Sequence, residues 1–303
     1  MLMITTVGLV SYVWARMKLE KERCVKCARM DLPLEGDPVP FVPKCTLPKL
    51  EDYSLSLLPD QYWDLWEKRT FQQEVELRSW VDADLFWDLV VRAGYPDLDK
   101  ASMVCNRLRE GARLGCWGRG RLPTFHKNGE EVYKYGDRVA DALQCWIKEE
   151  PPIALGPLRR EELPWSDFSV SPLGVKVRWD GKARLLVNLS SPHTEEEGVP
   201  GWIYNPEYPG SVNSTIDSNM FPARMSSTEK FVRALWSVGK GARVTKQDLS
   251  SAYKHQMVHP DDRKLQVVEF GGRYFVETAL TFGGQSSPGI ILTCLECLWT
   301  VWS

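Results

Sequence analysis

TKQDLSSAYKHQMVHPDDR, residues 245–263, is the stretch on which the reading of this chain turns. Ala242-Arg243-Val244 ahead of it reads as a short strand, so Asp248 stands at a strand end. Small Ser250, Ser251 and Ala252 follow, then Tyr253. A carboxylate carried out of water is costly unless it is paired or coordinates a metal. Two readings fit the residues alone. Asp248 caps the next turn and Tyr253 fills the core, or Asp248 is presented for chemistry with room left beside it by the small side chains.

Downstream, KLQVVEFGGRYFVETAL (264–280) reads as a hairpin turning at Gly271-Gly272. SSPGIILTCLECLWTVW (286–302) reads as a buried helix. Upstream, SSTEKFVRALWSVGKG (226–241) has the Ser/Thr-then-Glu start of a capped helix and stops at Gly239. SPLGVKVRWDGKARLLVNLSSP (171–192) reads as two strands around Asp180-Gly181, a strong hairpin turn pair. YGDRVADALQCWIKEEPPI (135–153) predicts a helix ended by Pro151-Pro152. The second half is therefore α+β in layout.

The first half has a different character. Apolar residues recur at three- and four-residue intervals in QYWDLWEKRTFQQEVELRSW (61–80) and DADLFWDLVVRAG (82–94), and LDKASMVCNRLREGARLG (98–115) predicts another helix. CWGRGRLPTFHKNG (116–129) reads as a loop. Pro33, Pro38, Pro40, Pro43 and Pro48 make residues 30–48 an extended arm or linker. The resulting division is an apolar N-terminus with a Pro-rich linker over 1–50, a helical region over 51–150, and the α+β part over 151–303.

Composition sets bounds. The 303 residues are 43% hydrophobic and 26% charged, an ordinary globular balance. A net charge of -2 excludes a chain that binds nucleic acid by bulk positive charge, although residues 101–190 are locally basic. Eight scattered cysteines are no dense disulfide framework and point to a reducing, intracellular compartment, cytoplasm or nucleus. The apolar start, MLMITTVGLVSYVW, is shorter than the span of about 20 apolar residues that crosses a bilayer. It also lacks the positive leader of a secretory signal, so a buried first helix or strand, or an upstream piece spliced to the rest, is the expectation rather than a membrane anchor.

Four blocks, in order, now carry a resemblance: residues 171–192, SVNSTI (211–216), DLSSAYKHQMVHPDDR (248–263) and GRYFVETALTFGGQSSP (272–288). Together they resemble the fingers and palm of a reverse transcriptase, most similar to retroelements (retrotransposons) of the DIRS type. GRGRLPTFHKNG (118–129) and IKEEPPIALGPL (147–158) extend it loosely, over roughly the last 190 residues. The resemblance implies an α+β polymerase right hand, fingers and partial palm, behind a mainly helical N-terminal region. It implies RNA- or DNA-templated addition of deoxynucleotides, with template-primer and deoxynucleoside triphosphates as partners and two Mg2+ ions as cofactor.

Residue by residue, Asp248 matches the family's first metal carboxylate and is the catalytic candidate. Magnesium is usually held by one or two carboxylates together with substrate phosphates. Tyr253 matches the ring beneath the incoming sugar that excludes a ribose 2′-hydroxyl. Lys182 and Arg184 match positions on the triphosphate, where a guanidinium fork binds phosphate oxygens bidentately. Phe282 and Gly283 match the loop against the nascent base pair. Departures are Asn188 where many relatives carry Asp, Thr281 where proline is common, and Gly284-Gln285.

The family's aromatic-x-Asp-Asp hairpin is not found in the sequence. Asp261-Asp262 follow Pro260 and suit a turn or helix start instead. The expectation is a C-terminally truncated polymerase, inactive alone, whose further polymerase, nuclease or recombinase regions lie outside this chain. The alternative is a non-catalytic nucleic-acid-binding or interaction protein that keeps a degenerate polymerase fold. The pairs Cys24/Cys27 and Cys294/Cys297 together could offer zinc four ligands, but the second pair lies in an apolar helix where cysteine acts as a small hydrophobe. His255 and His259 are four apart, yet Pro260 argues against a helical metal face.

Overall fold

The computed structural model describes residues 58–71, 79–116, 124–177, 183–191, 211–223, 227–240 and 249–300. Helices α1 (Asp60–Trp63), α2 (Ala83–Arg92) and α3 (Leu98–Glu110) come first. Strand β1 (Thr124–Phe125), helices α4 (Glu130–Lys134) and α5 (Gly136–Lys148), and strands β2 (Ala154–Leu158) and β3 (Ser169–Val170) follow. The hairpin β4 (Leu173–Val177) and β5 (Ala183–Val187) precedes helix α6 (Thr228–Val238). A second hairpin, β6 (Val267–Phe270) and β7 (Arg273–Glu277), leads to α7 (Ser287–Thr300).

Local chemistry accounts for the helix ends. The Asp82 carboxylate accepts from the Asp84 and Leu85 amides at 3.0 Å and starts α2. Asp97 accepts from Lys100 at 2.9 Å and starts α3. Ser227 accepts from Lys230 at 3.2 Å and starts α6, which stops at Gly239. Gly111 ends α3 with a φ of +94°, a conformation for glycine.

A mixed five-stranded sheet runs β1-β3-β6-β7-β2, and β4-β5 stands apart as a two-stranded antiparallel ribbon. β1, β3 and β6 pair in parallel, whereas β6-β7 and β7-β2 are antiparallel. The period of two sorts side chains between two faces. Val268 and Phe275 enter the largest apolar cluster with Val139, Leu143 and Ile147 of α5 and Leu185 and Val187 of β5. Val267 and Val276 enter another with Leu155, Phe168 and Val170. A third cluster joins Phe86 and Val90 of α2, Val104 and Leu108 of α3, and Cys297 and Leu298 of α7, with Leu249 among them.

One expectation fails. Residues 61–80 were predicted helical, but the helix there is the single turn Asp60–Trp63 and residues 64–71 and 79–80 are not helical, while 72–78 lie outside the described residues. The apolar spacing comes from tertiary packing instead. Trp63 and Trp66 sit 6.1 and 5.8 Å from the Phe275 ring. The backbone then pairs with β2, through Arg69 N to Gly156 O at 2.9 Å and Gly156 N to Arg69 O at 2.8 Å. Leu58 N likewise donates to Gly271 O at 3.0 Å, so residues 58–71 form a strap over the β6-β7 hairpin. No helix of the described residues is long and apolar enough to cross a membrane.

Candidate functional site

Arg184, Tyr253 and Phe282 come from β5, the turn Ala252–His255 and the loop before α7, and they meet on one face. The Arg184 guanidinium lies 4.4 Å from the Phe282 ring centroid. The Tyr253 ring is 5.7 Å from Phe282 at 60°. Phe282 is 48% exposed, large for a phenylalanine held by two neighbours, so the face is open to a ligand. Tyr253 is half-buried, and burial pushes the pKa of its phenol up.

The β4-β5 register sets Lys176 directly opposite Arg184, both exposed. Like charges facing each other across a ribbon repel. An anion between or beside them would reverse that term. Lys182 and Asp248 lie outside the described residues, as does the Asp180-Gly181 turn. Leu249, the residue after Asp248, is anchored in the α2-α3-α7 cluster. Ser251 then adopts φ +53°, the left-handed conformation, as the chain enters the Tyr253 turn. It is the one non-glycine residue with positive φ among the described residues, and such strain collects at functional turns.

The Phe282 loop is tightly made. Gly283 has φ +107°, and a Cβ there would lie 3.2 Å from the Val187 carbonyl. A Cβ on Gly284 would lie 2.6 Å from Ser287 Oγ. Ser287 Oγ donates to the Thr281 carbonyl at 2.9 Å, which ties the loop to the first turn of α7. Asn213, from SVNSTI, clamps it from outside. Its Nδ2 donates to Gly283 O and to Ser190 Oγ, both at 2.8 Å, and its Oδ1 accepts from Gln285 N at 2.9 Å. Replacing a buried three-bond side chain leaves its partners unsatisfied. Asn213→Ala is expected to cost about 2 kcal/mol in urea unfolding and to speed amide exchange at 283–285. Unchanged exchange there would remove the clamp role.

The remaining candidates are placed as follows. His255 Nε2 contacts Ser250 O at 3.0 Å and its ring meets Trp80 edge-on at 5.2 Å, while burial pushes its pKa down. His259 Nδ1 accepts from Asp261 N at 3.3 Å and caps the turn Pro260–Leu265, so the two histidines serve separate turns. Asp262 accepts from Leu114 N at 2.7 Å within that turn. Cys294 and Cys297 are buried in α7, and burial pushes the Cys294 thiol up to about 12. Cys24 and Cys27 lie outside the described residues. Among the described residues no group of three or more His, Cys, Asp or Glu could hold a metal ion.

Two sets of residues escaped the sequence reading: Asn213, and the ion pair Lys254–Glu277 at 2.7 Å. The block SVNSTI marked the first without a role. Nothing in the sequence pairs the second.

No family model and no curated protein matches this chain. Solved structures similar to it include a foamy viral protease-reverse transcriptase in complex with double-stranded DNA. That match has a TM-score of 0.36 at 12% identity and covers 76% of this chain and 37% of that one. Two others are Prototype Foamy Virus protease-reverse transcriptases. A mutant scores 0.35 at 11% identity, covering 70% and 26%, and the native protein scores 0.34 at 13%, covering 73% and 27%. The chain thus spans 26–37% of the length of these three structures. At such scores the likeness assigns no role to any residue.

Proposed function

We propose that this chain carries the nucleotide-facing part of a reverse-transcriptase-like polymerase of a retroelement, its fingers and part of its palm. The observation that carries the reading is the convergence of Arg184, Tyr253 and Phe282 beside the like-charged pair Lys176 and Arg184. A triphosphate answers the positive ribbon, since a guanidinium binds phosphate oxygens in pairs. Phe282 offers an apolar wall for a base, and Tyr253 a wall for the sugar. Lys182 joins the phosphate contacts in this reading, and Gly283 lets the loop backbone approach the pairing base.

Asp248 is assigned to Mg2+ and to the chemistry of phosphoryl transfer. Such a site needs further carboxylates. The sequence contains no aromatic-x-Asp-Asp. The chain is therefore expected to bind deoxynucleoside triphosphate and template-primer without extending the primer. That same observation favours a second reading, a nucleic-acid-binding protein that retains the polymerase fold. Salt-sensitive binding of primer-template with no response to nucleotide supports the second reading. Nucleotide binding supports the first.

The test is calorimetric titration of the chain with dGTP in Mg2+. Arg184→Ala is expected to weaken binding about tenfold, the scale of one hydrogen bond to a charged group. Equal affinity in the variant, or no binding by the unaltered chain, would sink the nucleotide site.

A further inference from the structure

Lys254 and Glu277 form the most enclosed ion pair among the described residues, with side chains 12% and 1% exposed. Burying both charges costs desolvation that their attraction offsets only in good geometry. Here the geometry is elaborate. The Lys254 ammonium lies 2.7 Å from Glu277 Oε1 and 4.8 Å over the Trp146 ring of α5. The other Glu277 oxygen meets the Thr281 hydroxyl. That hydroxyl is also 2.8 Å from Gln266 Oε1, and Gln266 Nε2 donates to Ala279 O at 2.9 Å.

The placement matters more than the pair. Lys254 follows Tyr253 on the same turn, and Thr281 precedes Phe282 in the loop. The network is thus a bar behind the site that joins the segment holding one ring to the segment holding the other. Neither Lys254 nor Glu277 belongs to the open face.

We propose that the Lys254–Glu277–Thr281 network is the positioning device that sets the gap between Tyr253 and Phe282, and with it discrimination between deoxyribo- and ribonucleoside triphosphates. The inference rests on the nucleotide reading of that face given above. Its physical basis is that a sugar wall discriminates by distance. A displacement of about 1 Å at a positioned group can cost a hundredfold.

The test compares the chain with its Glu277→Gln and Thr281→Val variants. Glu277→Gln keeps the shape of the bar and removes its charge. Thr281→Val keeps volume and cuts the link to the loop, a milder change should the first variant fold poorly. Amide exchange is followed at 250–256 and 281–285, and dGTP and GTP affinities are measured by titration in Mg2+. Both variants are expected to exchange faster in both segments and to lower the dGTP:GTP affinity ratio by about tenfold. Arg184→Ala is the control, expected to weaken both nucleotides alike and leave the ratio unchanged. An unchanged ratio, or unchanged exchange, in both variants overturns the positioning role while the nucleotide site stands. If the unaltered chain binds neither nucleotide, the site reading falls and the selectivity claim falls with it.

Discussion

Gly111→Ala is expected to destabilise the fold by about 3–5 kcal/mol, read as a drop in the urea midpoint at constant slope. Gly111 ends α3 at φ +94° and ψ 154°, a region in which a side chain is strained. Space is also missing. An added Cβ would lie 2.6 Å from His259 N and 2.7 Å from Val258 C. These are backbone atoms and cannot swing aside. They are held because Ala112 N donates to Met257 O at 2.7 Å and His259 N donates to Ala112 O at 3.0 Å. The substitution must break that stitch or bend the end of α3 away from residues 257–259. A midpoint within error of the unaltered chain would show that the two segments do not meet as described.

Lys254→Met is expected to cost a similar amount, about 3–5 kcal/mol, because it strands the Glu277 carboxylate at 1% exposure. The cost belongs to the unpaired charge and not to the lost attraction. Lys254→Met with Glu277→Leu should therefore recover most of the stability, although each change alone is harmful. Thermal or urea unfolding of the two singles and the double closes the cycle. A double variant no more stable than Lys254→Met alone would mean that Glu277 was never enclosed by this pair. The double variant would also lack the link from Tyr253 to Thr281, so regained stability without regained sugar discrimination separates folding from positioning.

What the sequence disclosed followed from local rules. The Ser/Thr-then-Glu start at 226–229 announced a helix, Gly239 its stop and Gly271-Gly272 a hairpin, because each acts through its own neighbours, whereas the helix read over 98–115 stops earlier, at Gly111. Pro260 argued for a turn at Asp261-Asp262, and the described turn is Pro260–Leu265. Local rules failed where burial is decided at a distance. Tyr62, Trp63 and Trp66 carry a helix-like spacing, yet the two indoles meet Phe275 and Tyr62 packs on the indoles. The two-residue strands β1 and β3 are too short to leave a periodic trace.

The site divides in the same way. Arg184, Tyr253 and Phe282 were singled out through the family resemblance, and they meet in space. Asp248 and Lys182 lie outside the described residues. Asn213, Lys254, Glu277 and Thr281 were not singled out as site residues. Their significance lies in which backbone or side chain they reach, 70 residues away for Asn213 and Gly283 and 23 for Lys254 and Glu277.

The strap over the β6-β7 hairpin has a consequence for biosynthesis. Asp60 and Arg273, which pair across it, are 213 residues apart. A ribosome adding about 5–20 residues per second needs roughly 10–40 s to cover that distance. For much of that interval Tyr62, Trp63 and Trp66 have left the ribosome while Phe275 is not yet made. Apolar surface exposed in that way is aggregation-prone. Slowing translation should therefore lower the soluble yield of the protein, and shielding those three rings during synthesis should restore it.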